Sequence, residues 1–101
     1  MPLPRDLFLG FVKLHILHHA GREPVYGLWL IEELARHGYR LSPGTLYPIL
    51  HSLESEGLLV SETRVVKGKV RKYYRLTESG HAALADGRAK ARELLNEVEL
   101  S

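Results

Sequence analysis

The chain contains no cysteine. That excludes a disulfide frame, a thiolate nucleophile and a cysteine-ligated zinc site, and it suits a reducing compartment. Long apolar runs are also missing. The opening stretch "MPLPRDLFLGFVKLHILHHAG" is broken by Arg5, Asp6, Lys13 and three histidines, so it offers neither a signal-peptide core nor a membrane span. A cytoplasmic protein without membrane contact is expected. There is no phosphate-loop glycine motif, and Ser42, Thr45, His51 and His81 form no recognisable nucleophile–base arrangement. Neither an enzyme nor a cofactor is expected. No internal repeat, low-complexity tract or long linker divides the 101 residues, which suffice for one modest core that dimerisation would help.

Net charge is small, at +2, but unevenly placed. Arg64, Lys67, Lys69, Arg71, Lys72 and Arg75 follow one another with no acid between them. Acids gather at Glu32, Glu33, Glu54, Glu56 and in the C-terminal segment. A polyanionic partner fits such a cluster, and so does a merely solvated hairpin.

Periodicity predicts a first helix from about Arg5 to Ala20, whose Leu7, Phe8, Phe11, Val12, Leu14, Ile16 and Leu17 cover more than one face. A second subunit is the economical way to cover both. A second helix is predicted from Val25 to His37, with Leu28, Ile31, Leu34 and Ala35 as its core stripe and Gly38 as its stop. Trp29 falls beside Glu32, Glu33 and Arg36, either packed on a neighbouring element or open to a ligand or partner. A third helix runs from about Ser42 to Gly57, where a glycine cap is expected. "LLVSETRVVKGKVRKYYRL" reads as a hairpin with Gly68 at its turn and Val60, Tyr74 and Leu76 facing inward. Thr77 or Ser79 can cap a last helix reaching about Glu99, where Leu84, Ala91 and Val98 recur every seven residues beside Leu94 and Leu95. Such a narrow seam suits helix–helix pairing with the first helix's help. Three helices followed by a basic hairpin is the element order of a winged helix, a helix-turn-helix variant. The fold class is mostly α with a β-hairpin: a winged-helix DNA-binding domain over residues 1–77 and a C-terminal dimerisation helix over 78–101.

The start of the third helix, "LSPGTLYPIL", carries two prolines and a glycine, residues that oppose helix formation. At about 100° per residue, Leu46, Ile49, Leu50 and Leu53 cluster on one side, while Gly44, Pro48, His51 and Ser55 point away and Thr45, Tyr47 and Ser52 flank them. Either Thr45 or Ser42 can be the cap. Pro43 takes the favoured first position in the second case. The resulting tip has low relief, and its free N–H groups favour an anion. In a helix-turn-helix this end of the second helix meets base edges and phosphates in the major groove. The outward face has no Arg, Asn or Gln for bidentate base reading. Thr45 can touch a thymine methyl and His51 can donate to guanine N7. Most affinity should therefore come from phosphates, and specificity from half-site spacing and groove shape. Lys67, Lys69 and Arg71 are placed to reach the backbone or minor groove alongside.

"GYRLSPGTLYPILHSLESEGLL" followed by "RKYYRLTESGHAAL" closely resembles the PadR family of bacterial transcriptional regulators, through that family's "pGtLYp…L..LE..Gl" and "yY.lT..G…L" pattern. The match is good from Tyr26 to Leu84 and looser over the first helix. The resemblance implies a winged-helix homodimer that represses transcription by binding double-stranded operator DNA. Ser42, Gly44, Thr45, Tyr47 and Pro48 would begin the recognition helix. Lys67, Gly68, Lys69 and Arg71 would be the wing, with Tyr73, Tyr74 and Thr77 as its structural return. The family pairs through its first and last helices, here by way of Leu7, Phe8, Phe11, Leu84, Ala91, Leu94, Leu95 and Val98. Some members take phenolic acids or flat drugs at that interface. This last helix has no aromatic residue to stack on one, and no effector is assigned.

His15, His18 and His19 share helix faces, but no Cys, Asp or Glu stands at matching spacing. They are expected to be packing or interface residues, not metal ligands. The rival to DNA binding is a winged helix used for protein–protein contact without DNA readout.

Overall fold

A computed structural model of the chain describes residues 3–100, with side chains through residue 99. Residues 1, 2 and 101, at the ends of the two expected domains, lie outside the described residues. The elements are α1 (Arg5–Arg22), β1 (Val25–Tyr26), α2 (Gly27–Arg36), α3 (Pro43–Ser55), β2 (Leu59–Val66), β3 (Lys69–Leu76) and α4 (Glu78–Leu100). The strands form one antiparallel sheet in the order β1-β3-β2.

α1 buries Val12, Ile16, Leu17 and Ala20 and leaves Leu7 and Phe11 exposed, so its two apolar faces are real. Val25 and Tyr26, expected in a helix, are instead a strand paired with Tyr74 and Tyr73 of β3. β-branched Val25 favours extended backbone there, and pairing satisfies the polar groups of both residues. The helix therefore starts at Gly27, and the buried line becomes Gly27, Leu30 and Leu34. The expected stripe is corrected accordingly: Leu34 is buried, Ile31 and Ala35 are half-buried, and Leu28 is exposed. Trp29 is half-buried, edge-on to the His19 ring at 5.4 Å between centroids, which is the packing role.

Ser42 caps α3: its Oγ accepts from the Thr45 N–H at 3.3 Å, and Pro43 holds the first turn. At the other end the Leu58 N–H donates to Leu53 O and the Gly57 N–H to Glu54 O, both at 2.9 Å, closing the helix as expected. In the hairpin, Val66 pairs with Lys69 across a two-residue turn in which Lys67 and Gly68 have φ of 52° and 78°. That is a type I′ geometry, which glycine adopts freely and lysine does not. Leu59 pairs with Leu76 on the core face. Val60 pairs with Arg75 on the opposite face and is only half-buried, so the inward residue of the first arm is Leu59.

Thr77 caps α4, its Oγ1 accepting from the Gly80 N–H at 2.9 Å and donating to Gly57 O at 2.5 Å. The core joins α1, α2 and α3 to one face of the sheet and takes in Leu84 from α4. Beyond Gly87, which lies against Leu14, the described side chains of α4 are all exposed. Among the described residues no helix is long and apolar enough to cross a membrane.

Candidate nucleic-acid interface

The exposed side of α3 carries the residues named from the sequence. Ser42, Gly44, Tyr47, Pro48 and His51 are exposed and Thr45 is half-buried, while Leu46, Ile49, Leu50 and Leu53 are in the core. The Ser42 hydroxyl also donates to Thr45 Oγ1 at 3.3 Å, which fixes both short side chains at the tip. The first turn has no acidic residue, so the positive end of the helix dipole is not neutralised locally. Pro48 lies inside the helix and cannot donate to the Gly44 carbonyl.

Both flanks of this face are cationic. On one side Arg5 and Lys13 of α1 line a groove of about 390 Å³ with Gly44, Thr45, Pro48 and Ser52. On the other side Lys69, Arg71 and Lys72 of β3 line a groove of about 270 Å³ with Leu28 and Tyr47. Tyr47 has a packing duty as well, because a Cβ on Gly27 would lie 2.3 Å from its hydroxyl oxygen. A side chain at position 27 would push the Tyr47 ring away from its place beside α2.

The basic run divides by partner. Arg64 is tied to Glu62, whose carboxyl it holds below the usual carboxylate range, and Lys72 Nζ lies 3.9 Å from Glu54. Arg71 stacks over the Tyr26 ring at 4.4 Å, and a hydrogen bond to Tyr73 raises its pKa further. Lys67 and Lys69 make no ion pair among the described residues, and both are exposed beside Gly68 at the tip. The wing residues named from sequence therefore fall together, with Arg71 pre-oriented by its aromatic platform.

The residues named from the sequence for pairing do not all share one surface. Leu7, Phe11, Leu94, Leu95 and Val98 are large exposed apolar side chains, and Ala91 is exposed among them. Phe8 is half-buried and packs on Tyr39 at 5.4 Å. Leu84 is only 7% exposed, so it is a core residue of the single chain and not part of a free seam.

Sequence reasoning missed Arg5, Lys13 and Tyr26 at this surface, and it named Lys72 in the basic cluster but not among the wing residues. Arg5, Leu9 and Lys13 stand at i, i+4 and i+8 on one helix face, a signal that was present. What a single sequence does not give is which neighbour that face meets.

Residues 16–86 match the family model described as the transcriptional regulator PadR-like family. A transcriptional regulator of Mycobacterium tuberculosis, Rv3488, is 61% identical over 94 residues, covering 93% of this chain and 88% of that protein. The crystal structure of a PadR family transcriptional regulator from Eggerthella lenta superposes with a TM-score of 0.81 at 39% identity, over 93% of this chain and 83% of that one. A PadR-like transcriptional regulator from Bacillus cereus gives a TM-score of 0.85 at 28% identity, over 93% of each chain.

Proposed function

The chain belongs to the PadR-like family of transcriptional regulators, and from that premise we propose that it represses transcription by binding a two-fold operator as a homodimer. In this reading α3 enters the major groove and the wing lies on the backbone or in the minor groove. One observation carries it: the low-relief start of α3 lies between Arg5 and Lys13 on one side and Lys69, Arg71 and Lys72 on the other. A duplex presents phosphate rows on both sides of its major groove, and cationic groups on both flanks of α3 would face them. The exposed apolar residues of α1 and α4 supply the pairing surface.

The test is a duplex titration at several salt concentrations. Log affinity should fall with log salt at about −0.9 per neutralised phosphate. Alanine at Lys67, Lys69 and Arg71 should make that slope shallower by about 2 to 3; an unchanged slope refutes the wing contact. Replacing Leu94 and Leu95 with glutamate should give monomers in sedimentation, and intact dimers would refute the pairing surface. A protein-contact reading draws on Val65 and Val70, a cross-strand pair 71% and 72% exposed near the wing tip. That reading predicts no salt-dependent duplex binding at all.

A further inference from the structure

We propose that His19, Glu33 and His37 form a binding site for one divalent transition-metal ion of the zinc class, joining α1 to α2. Their ligand atoms all lie within 4.8 Å of one another. Glu33 Oε2 is 3.0 Å from His37 Nε2 and 3.8 Å from His19 Nε2. Four-coordinate zinc with bonds of about 2.0 to 2.2 Å sets neighbouring ligand atoms about 3.3 to 3.6 Å apart, a spacing that small side-chain adjustments reach. Two imidazoles and one carboxylate are a donor set that first-row divalent ions favour over Mg²⁺ or Ca²⁺.

A second observation points to a ligand at His19. Among the described residues His19 Nε2 is buried with no hydrogen-bond partner, and its side chain is only 11% exposed. An unpaired buried ring nitrogen is unfavourable, and in neutral imidazole its lone pair is what a metal takes. The nitrogen faces the one carboxylate on α2 that His37 also reaches. A cavity of about 340 Å³, lined by His19, Arg22, Glu23, Trp29 and Glu33, leaves room for water in a fourth position. Glu33 Oε1 accepts from Arg36 Nη1 at 3.0 Å, which orients the carboxylate, while the hydrogen bond between Oε2 and His37 Nε2, also 3.0 Å, would give way to the ion with both atoms as ligands and the ring proton released to solvent.

The spacing argument along α1 fails here because the other two ligands come from a different helix. Glu33 and His37 stand at i and i+4 on α2, one turn apart on the face that meets His19.

The experiment uses tag-free protein, stripped with chelator and dialysed, then titrated with Zn²⁺ in a calorimeter. One Zn²⁺ per chain with micromolar or tighter affinity is expected, with a rise in melting temperature that chelator reverses. His37→Gln and Glu33→Gln should each weaken binding at least tenfold. His37 is half-exposed, so that variant should keep the native circular dichroism spectrum. His51→Ala and His81→Ala should bind as wild type. With Co²⁺ as probe, the visible band of a four-coordinate ion should appear in wild type and vanish in folded His37→Gln. No stoichiometric uptake of either ion, or folded His37→Gln and Glu33→Gln variants that bind Zn²⁺ undiminished, overturns the site. Either result leaves the duplex-binding reading untouched, since none of the three ligands lines the grooves beside α3.

Discussion

Gly80→Ala tests the joint between the wing and α4. A Cβ at Gly80 would stand 2.1 Å from the Leu58 carbonyl oxygen and 2.7 Å from Leu76 Cδ2. The nearer atom is backbone and cannot rotate aside. Relief to an ordinary contact near 3.4 Å requires the first turn of α4 to move by more than an ångström. Three hydrogen bonds cross or cap this joint: Thr77 N–H to Leu58 O at 3.1 Å, Thr77 Oγ1 to Gly57 O, and the Gly80 N–H to Thr77 Oγ1. Overpacking a closed site costs about 1 to 3 kcal/mol, and each hydrogen bond lost adds about 1 kcal/mol. Alanine's better helix propensity returns at most about 1 kcal/mol. The net expectation is a loss of about 3 kcal/mol. With an m-value of about 1.5 kcal/mol/M in urea, the unfolding midpoint falls by about 2 M. Wild type and variant must be compared at one protein concentration, because pairing would add to apparent stability. Thr77→Val in the same background should cost less than it does alone, since it acts on the same bonds. A Gly80→Ala protein as stable as wild type refutes the close-approach argument.

Two other predictions follow from side-chain placement. Arg5→Ala with Lys13→Ala should make the salt slope of duplex binding shallower by about 2; an unchanged slope removes α1 from the interface. Burial holds the His15 and His19 rings below the ordinary imidazole pKa of 6.5, with neighbouring histidines adding to the effect. Unfolded chains therefore take up protons near pH 6.5 that the folded chain takes up only at lower pH. Stability of the chelator-treated protein is full above this range and falls as pH drops through it. Melting temperatures from about pH 7.5 to 5.5 check the sign, and a rise toward acid refutes it.

The sequence disclosed those features whose cause is local. The apolar face of α3, its capped ends, the turn at Gly68 and the order of helices and hairpin each depend on residues within one or two helical turns. β1 was hidden because two residues carry no period, and the partners that hold Val25 and Tyr26 in a strand, Tyr74 and Tyr73, lie far along the chain. That one misreading displaced the start of α2, which is why Leu28 was placed in the core and Leu30 was not. Val60 and Leu59 were exchanged for a similar reason, since a shift of one residue reverses the facing of a strand. Leu84 has the right heptad spacing for a seam, yet its position near the start of α4 puts it against α1 of its own chain. At the interface, the cluster on β3 was legible as charge, but the Tyr26 platform under Arg71 and the Arg5–Lys13 flank depend on long-range packing.

These placements separate affinity from specificity. The cations flanking α3 would meet phosphates, which every duplex offers alike, so they supply attraction without sequence information. The outward side of α3 offers few groups that could tell bases apart: half-buried Thr45, exposed His51 and a proline-bounded backbone. In the proposed dimer, discrimination would then come from groove shape and from the distance and angle between the two copies of α3. In a dimer paired through α1 and α4, that geometry passes through the Thr77–Gly80 joint, where α4 is fixed to the α3–β2 corner at Gly57 and Leu58. A rigid joint holds one half-site spacing, and a loosened joint tolerates several. A Gly80 variant that still folds should therefore lose preference among operators of different spacing before it loses affinity for duplex DNA as such.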